Sequence, residues 1–300
     1  MLNSLVSSKD LSRHTIEWLL QNAQSFIDYG PPTYRHGTVV NLFFESSTRT
    51  SLSFQMAAEH LGLKILNFDI SHSSVNKGES LQDTLQTIDA LGVDVAVIRH
   101  QADWPALIEG VPLQMGLVNA GSGTFEHPTQ ALLDALTMRQ HFGRVRDLKV
   151  TIVGDINHSR VARSNLNILT TLGAKVRFAG PDAFRAPDLT ETPWLDLDEA
   201  MEDTDVIMML RVQHERHAHN YDVGTYHEQF GLTEQRLNLL SKDAVIMHPG
   251  PVNRGIEICS AAMEDSRCRI LQQVSNGVAV RMAVLDWCLQ GGRHGKLVSA

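Results

Sequence analysis

"KVTIVGDINHSRVARSNLNILTTLGAKVRFAGPD", residues 149–182, decides the fold class. Two short apolar runs, at 149–153 and 174–179, flank a helical pattern over 158–172, so the stretch reads as one βαβ unit. Working outward, further strand candidates lie at 38–44, 64–69, 93–98, 113–118, 205–210 and 243–247. Helical patterns at 52–61, 80–91, 129–142 and 233–240 alternate with them. Strand-helix alternation of this kind implies an α/β fold of parallel sheets covered on both faces. A helix beginning near Pro128 carries the chain from a first sheet to a second. The last helical stretch, from about Val278 to Leu289, could pack anywhere on its residues alone. No internal repeat, low-complexity segment or flexible linker is visible.

Composition bounds the function classes. Three hundred residues suit one large or two ordinary domains. With 26 Lys+Arg against 34 Asp+Glu, a formal charge of −8 argues against a nucleic-acid binder, so any anion site must concentrate positive charge locally. Cys259, Cys268 and Cys288 are odd in number and widely spaced. They form neither a disulfide framework nor a zinc pattern, which points to a reducing cytoplasm. The start lacks a basic leader with an apolar core, and no run approaches membrane-spanning length, so a soluble intracellular protein is expected.

Chemistry collects where strands end. "FFESSTRTS", residues 43–51, packs five hydroxyls and Arg49 into the step from a strand to a helix. One serine would suffice as an N-cap. Five hydroxyls around an arginine favour the alternative, a phosphate socket using free N–H groups, the helix dipole and a guanidinium fork. Lys77 follows the second strand, Arg99 and His100 the third, and His127 and Gln130 the fourth. In the second half Asp155, His158 and Arg160 follow one strand, Arg211 and Gln213 another, and "HPGPVNRG" the last. Ligands of open parallel sheets bind outside the carboxyl ends of strands. Arg49, Lys77, Arg99, Arg160, Arg211, His127 and His248 could therefore line one cleft between two sheets. Any one of these cations alone would read as a solvated surface charge. No G-x-x-x-x-G-K-[ST] loop occurs, and Gly154 stands without the rest of G-x-G-x-x-G, so neither a nucleotide triphosphate nor a dinucleotide cofactor is expected. His214, His217 and His219 invite a metal reading, but no cysteine or carboxylate pattern supports it. A solvated loop is the preferred reading, and no metal is expected.

"FFESSTRTS", "VNKGES", "HPTQ", "GDINHSR", "RVQHER" and "HPGPVNRG" occur in the order of the aspartate/ornithine carbamoyltransferase family, which the chain resembles over nearly its whole length. The resemblance is to the aspartate branch, because H-P-x-P and R-V-Q stand where ornithine enzymes carry other segments. It implies two domains with the active site in the cleft between them. Residues 1–130 would bind carbamoyl phosphate, joined by a C-terminal helix of about 276–300, and residues 131–275 would bind aspartate. It implies transfer of a carbamoyl group from carbamoyl phosphate to L-aspartate, an early step of pyrimidine synthesis, with no cofactor. The substrate amine is the nucleophile, so the site must supply positioning, anion binding and oxyanion stabilisation.

By the family pattern, Ser47, Thr48, Arg49 and Thr50 hold the phosphate, while Thr50, Arg99 and His127 point at the carbonyl oxygen. Gln130 and the 249–251 segment, Pro249, Gly250 and Pro251, hold the carbamoyl amide. Arg160 and Arg211, with Gln213, clamp the two aspartate carboxylates; one such pair is worth about 4 kcal/mol at about 4 Å and an effective dielectric near 20, before desolvation. A homotrimer with shared sites is also implied, Ser73 and Lys77 arriving from a neighbouring chain, with regulatory chains or a dihydroorotase as possible further partners. Two positions depart from the pattern: Ser51, where many relatives carry arginine, and Gly250, where some carry leucine. Three rivals stand beside this reading. A carbamoyltransferase for another amine such as ornithine would need acids for the acceptor. A catalytically dead anion-binding paralogue would not need the full set of site residues. A nicotinamide oxidoreductase lacks its glycine fingerprint.

Overall fold

Short β-branched and aliphatic runs bounded by glycine, aspartate and proline leave little choice but buried parallel strands. The computed structural model of the protein describes residues 3–31, 35–70, 77–212 and 223–291. Its strands are β1 (Thr38–Phe43), β2 (Lys64–Asn67), β3 (Val95–His100), β4 (Gly116–Ser122), β5 (Lys149–Val153), β6 (Lys175–Ala179), β7 (Val206–Met209) and β8 (Val245–Met247). The larger helices are α1 (Arg13–Tyr29), α2 (Thr48–His60), α3 (Leu81–Ala90), α5 (Pro128–Phe142), α6 (Arg160–Leu172), α8 (Val223–Phe230) and α11 (Ile270–Gly291). Four shorter ones are α4 (Trp104–Leu107), α7 (Leu197–Glu202), α9 (Glu234–Leu239) and α10 (Ser260–Glu264). Every expected strand is present. Helix α1 was not foreseen, and α11 begins well before Val278.

The chain divides into two units: Met1–Leu133 with Val274–Ala300, and Asp134–Gln273. The divisions fall inside α5 and α11, a few residues from the 130/131 and 275/276 boundaries of the sequence reading. Each unit holds one four-stranded parallel sheet, ordered β2-β1-β3-β4 in the first and β6-β5-β7-β8 in the second. These are the same order, although no repeat is visible in the sequence. In the first sheet Val40, Leu42, Ala96 and Ile98 join a buried cluster with Leu85, Ile88 and Trp104. Val95 and Val97, which point the other way by the period of two, are also fully buried, so both faces are covered. Each such aliphatic side chain contributes roughly 1.5–3 kcal/mol by leaving water. In the first unit α11 is tied down by Arg35 to Asp286 at 2.5 Å, Arg281 to Ser53 Oγ at 2.7 Å and Asn3 to the Trp287 carbonyl at 2.9 Å. Among the described residues no helix is long and apolar enough to cross a membrane.

One device recurs at the amino ends of both sheets. Asp94 Oδ2 accepts the Thr38 N–H at 2.8 Å while its own N–H donates to the Thr38 carbonyl at 3.0 Å. Asp205 Oδ2 accepts the Lys149 N–H at 2.7 Å, and its N–H donates to the Lys149 carbonyl at 2.9 Å. Each aspartate precedes the strand that will pair beside β1 or β5, and it closes the first rung of that pairing with a charged acceptor. Asp94 is buried. Asp94→Ala should therefore leave the Thr38 N–H without its carboxylate and lower the unfolding free energy by about 1.5–3 kcal/mol, read from urea denaturation of the purified protein.

Candidate active site

A parallel sheet in the order β2-β1-β3-β4 reverses its direction of growth between β1 and β3, so the connections leave on opposite faces and a crevice opens at the carboxyl ends of that pair. Phe43 at the end of β1 lies in register with Arg99 in β3, and the Phe44 N–H donates to the Arg99 carbonyl at 2.8 Å. The loop into α2 and the Arg99 side chain thus start from neighbouring strand ends.

Ser47 is the N-cap of α2, extended at φ −158° and ψ 99°, yet its hydroxyl makes no capping hydrogen bond. Ser12, Ser80 and Ser159 occupy the same position of α1, α3 and α6, and each accepts an N–H of its helix at 3.1 Å. Ser47 therefore holds the N-cap position without serving as a side-chain cap. The first turn of a 13-residue helix keeps N–H groups directed outward, with the positive end of the dipole behind them. Ser46, Thr48 and Arg49 are exposed around it, Ser47 and Ser51 half-buried, and Thr50 buried. An uncapped first turn ringed by hydroxyls and a guanidinium has the chemistry that anions bind.

Arg99 is largely enclosed and paired through Nη2 with Glu45 Oε1 at 2.5 Å, and Nη1 donates to the Ala120 carbonyl at 3.4 Å. Glu45 was not assigned a role from sequence, although it lies inside the quoted FFESSTRTS stretch. His127 and Gln130 are buried at the start of α5, where the Gln130 N–H donates to the His127 carbonyl at 3.0 Å. All these residues sit at the carboxyl end of one sheet. Lys77 is exposed ahead of α3. Ser73 lies outside the described residues.

The second unit repeats the reversal between β5 and β7. After β5, buried Asp155 accepts the His158 backbone N–H at 3.1 Å and meets its ring Nδ1 at 3.0 Å. Ser159 then caps α6, which makes half-buried Arg160 the first helical residue. The Leu210 N–H donates to the Val153 carbonyl at 2.8 Å, so half-buried Arg211 emerges beside the end of β5. Arg160 and Arg211 therefore flank the reversal of this sheet as Arg49 and Arg99 flank that of the other. Beyond β8, Pro249 and Gly250 are half-buried and Pro251 exposed. Gly250 has φ +68°, in the left-handed region that glycine enters without strain.

His248 corrects the sequence reading. Its place after a strand suggests a cleft-lining cation, but its side chain is 0 % exposed and bonded to Glu257. Gln213 and the trio His214, His217 and His219 lie outside the described residues.

Comparison with known proteins also divides the chain at the end of α5, but its second part runs on through most of α11, whose residues from Val274 belong to the first unit. Residues 3–140 match the family model for the aspartate/ornithine carbamoyltransferase carbamoyl-P binding domain, and residues 146–288 match that for the Asp/Orn binding domain. The aspartate carbamoyltransferase catalytic subunit of Ligilactobacillus salivarius is 46% identical over 309 residues, covering 99% of this chain and 98% of that protein. That of Listeria welshimeri is 47% identical over 294 residues, covering 96% of each. Among solved structures, aspartate transcarbamoylase from Trypanosoma cruzi with carbamoyl aspartate and phosphate superposes with TM-score 0.83 at 32% identity, covering 96% of this chain and 95% of that one. The same enzyme with N-(phosphonacetyl)-L-aspartic acid gives TM-score 0.82 at 32% identity over 96% and 94%.

His100, next to Arg99, carries a testable charge. Burial pushes its pKa below the ordinary 6.5, against a smaller upward pull from Glu45. Its Nδ1 accepts the Ala102 N–H at 2.9 Å, which also requires the neutral ring. Because the folded pKa is lowered, the unfolded chain binds the proton first as pH falls, and stability drops. The contribution is complete above the unfolded value and is lost as pH falls through the lowered folded one. His100→Asn keeps an acceptor for Ala102 but does not titrate, so its unfolding free energy should vary less than that of the parent between about pH 7 and 5.

Proposed function

The chain belongs to the aspartate/ornithine carbamoyltransferase family, and from that membership we propose that it carbamoylates L-aspartate from carbamoyl phosphate, giving N-carbamoyl-L-aspartate and phosphate for pyrimidine synthesis. The observation that carries the reading is the uncapped amino end of α2 beside Arg99. Residues Met1–Leu133 with Val274–Ala300 form the carbamoyl phosphate-binding domain in this reading, and Asp134–Gln273 the aspartate-binding domain.

The chemistry assigns the side chains. The neutral amine of aspartate attacks the carbamoyl carbon, negative charge grows on the carbonyl oxygen, and the bond to the phosphate oxygen breaks as phosphate leaves with the amine proton. Ser47, Thr48, Arg49 and Thr50 hold the phosphate, and Arg49 meets the charge that appears on the bridging oxygen. Thr50, Arg99 and His127 donate to the carbonyl oxygen. Glu45, at 2.5 Å, holds the Arg99 guanidinium in one direction so that little reorganisation is needed when charge develops. Gln130 and the carbonyls of Pro249 and Gly250 take the carbamoyl amide, with Pro251 closing that segment. Arg160, Arg211 and Gln213 take the acceptor's carboxylates. Asp155, the acid that follows β5, is engaged by His158, which favours a dicarboxylate acceptor over a cationic one such as ornithine.

A ureido assay of the purified protein with carbamoyl phosphate and a panel of amino acids tests the reading: turnover with L-aspartate is expected, and turnover with ornithine in its place would refute it. Within that assay Arg49→Ala should cost at least about 10²-fold in kcat with a smaller change in KM for aspartate, since its contact strengthens as the C–O bond breaks.

The reading extends to a cytoplasmic homotrimer in which Ser73 and Lys77 complete a neighbour's site. The exposure of Lys77 supports a side chain that reaches outward. Neither Arg49→Ala nor Lys77→Ala protein should be active alone, and dissociating, mixing and reassembling them in equal amounts should restore about a quarter of the parental sites in a cyclic trimer. No recovery would mean that Lys77 serves its own chain.

A further inference from the structure

We infer that His248 and Glu257 are a buried positioning pair that sets the Pro249–Gly250 backbone for the carbamoyl amide, an inference that rests on the function proposed above. Both side chains are 0 % exposed, so neither touches substrate. The Gly250 N–H donates to His248 Nδ1 at 2.8 Å. An N–H can only donate, so Nδ1 holds the lone pair and the proton of the neutral ring sits on Nε2. Nε2 faces Glu257 Oε1 at 3.2 Å, and the same oxygen accepts the Asn253 N–H at 2.5 Å. The His248 backbone N–H donates to Gln273 Oε1 at 3.0 Å, and Gln273 Nε2 donates to Asp134 Oδ1 at 2.8 Å.

Prolines at 249 and 251 leave His248–Asn253 four backbone N–H groups, and this buried network holds those of 248, 250 and 253. The segment is held by its donors, while Pro249 and Gly250 themselves stay only half-buried.

The choice of a carboxylate at 257 is informative. Glu257 Oε2 is buried without a hydrogen-bond partner among the described residues, which is costly for a group whose job is stability alone. A carboxylate only accepts, so it admits the Nε2–H tautomer of His248 and no other neutral one. A glutamine could turn its amide and donate to Nε2. The ring proton would then move to Nδ1, facing the Gly250 N–H, and the segment would lose its central tie. The pair acts through Gly250 by fixing a tautomer.

Two substitutions of His248 separate this role from packing. His248→Asn keeps an acceptor near the place of Nδ1, whereas His248→Gln puts one near the place of Nε2. Both delete the ring, so a purely structural histidine would respond alike to both. The full chain in its native assembly is assayed with carbamoyl phosphate at saturating L-aspartate. His248→Gln should raise KM for carbamoyl phosphate at least about 10-fold while His248→Asn stays within about threefold of the parent. Matching KM values in the two variants would overturn the inference. Nitrogen-15 spectra of the unmutated protein give a second readout that needs no variant to fold: His248 protonated on Nε2 supports the pair, and protonation on Nδ1 overturns it. Absence of turnover by the parent would instead refute the function proposed above, and the tautomer would still be measured on its own terms.

Discussion

A parallel strand must cross over its sheet before it can pair with its neighbour, and that constraint governs everything else in this protein. Each sheet starts from an inner strand, grows one way, then reverses. The reversal opens one crevice per sheet at the carboxyl ends of two adjacent strands, and the chemically loaded loops hang from the carboxyl ends of these strands and their neighbours. The aspartates at 94 and 205 close the opposite ends of the same strand pairs. Register is thereby set at one edge and used at the other.

In the first unit, the sheet ends supply two different kinds of positive charge. One is diffuse, from the N–H groups and dipole of α2, left available because Ser47 does not cap. The other is the guanidinium of Arg99, already matched to Glu45. Ser159, by contrast, is consumed in capping α6, so the corresponding place in the second unit relies on the arginine side chains. Two substrates with different demands, a phosphoryl group and a dicarboxylate, would be served by that difference.

Much of this was legible in the residues. Apolar runs disclosed all eight strands, since buried parallel strands are nearly continuous in hydrophobicity and only the edge strand β2 is largely exposed, and the loop chemistry after them singled out Arg49, Arg99, His127, Arg160 and Arg211 as candidates. Three of the missed helices have a physical cause: α4, α7 and α10 are four to six residues long, too short for a helical period to register; the 17-residue α1 has no such excuse. α11 was truncated because its first turns carry Gln272, Gln273 and Asn276, polar residues that form or adjoin buried hydrogen bonds and so break the apolar pattern. His248 misled for a related reason. Its position after a strand resembles that of the other cations, and only the pairing with Glu257, nine residues on, shows that it faces inward. The role of Glu45 was equally hidden, since one acid within a hydroxyl-rich loop gives no sign of which arginine it will meet.

The route of α11 bears on how the polypeptide matures as it leaves the ribosome. Contacts from Arg35 to Asp286, Ser53 to Arg281 and Asn3 to Trp287 join the two ends of the chain. Residues Asp134–Gln273 are contiguous and emerge with all their own partners. The segment synthesised first must wait for the segment synthesised almost last before its own unit is complete. Vectorial synthesis therefore inverts the usual order: the later-born unit is finished first, and a nascent chain cut short before α11 carries a first sheet that still lacks its final helix.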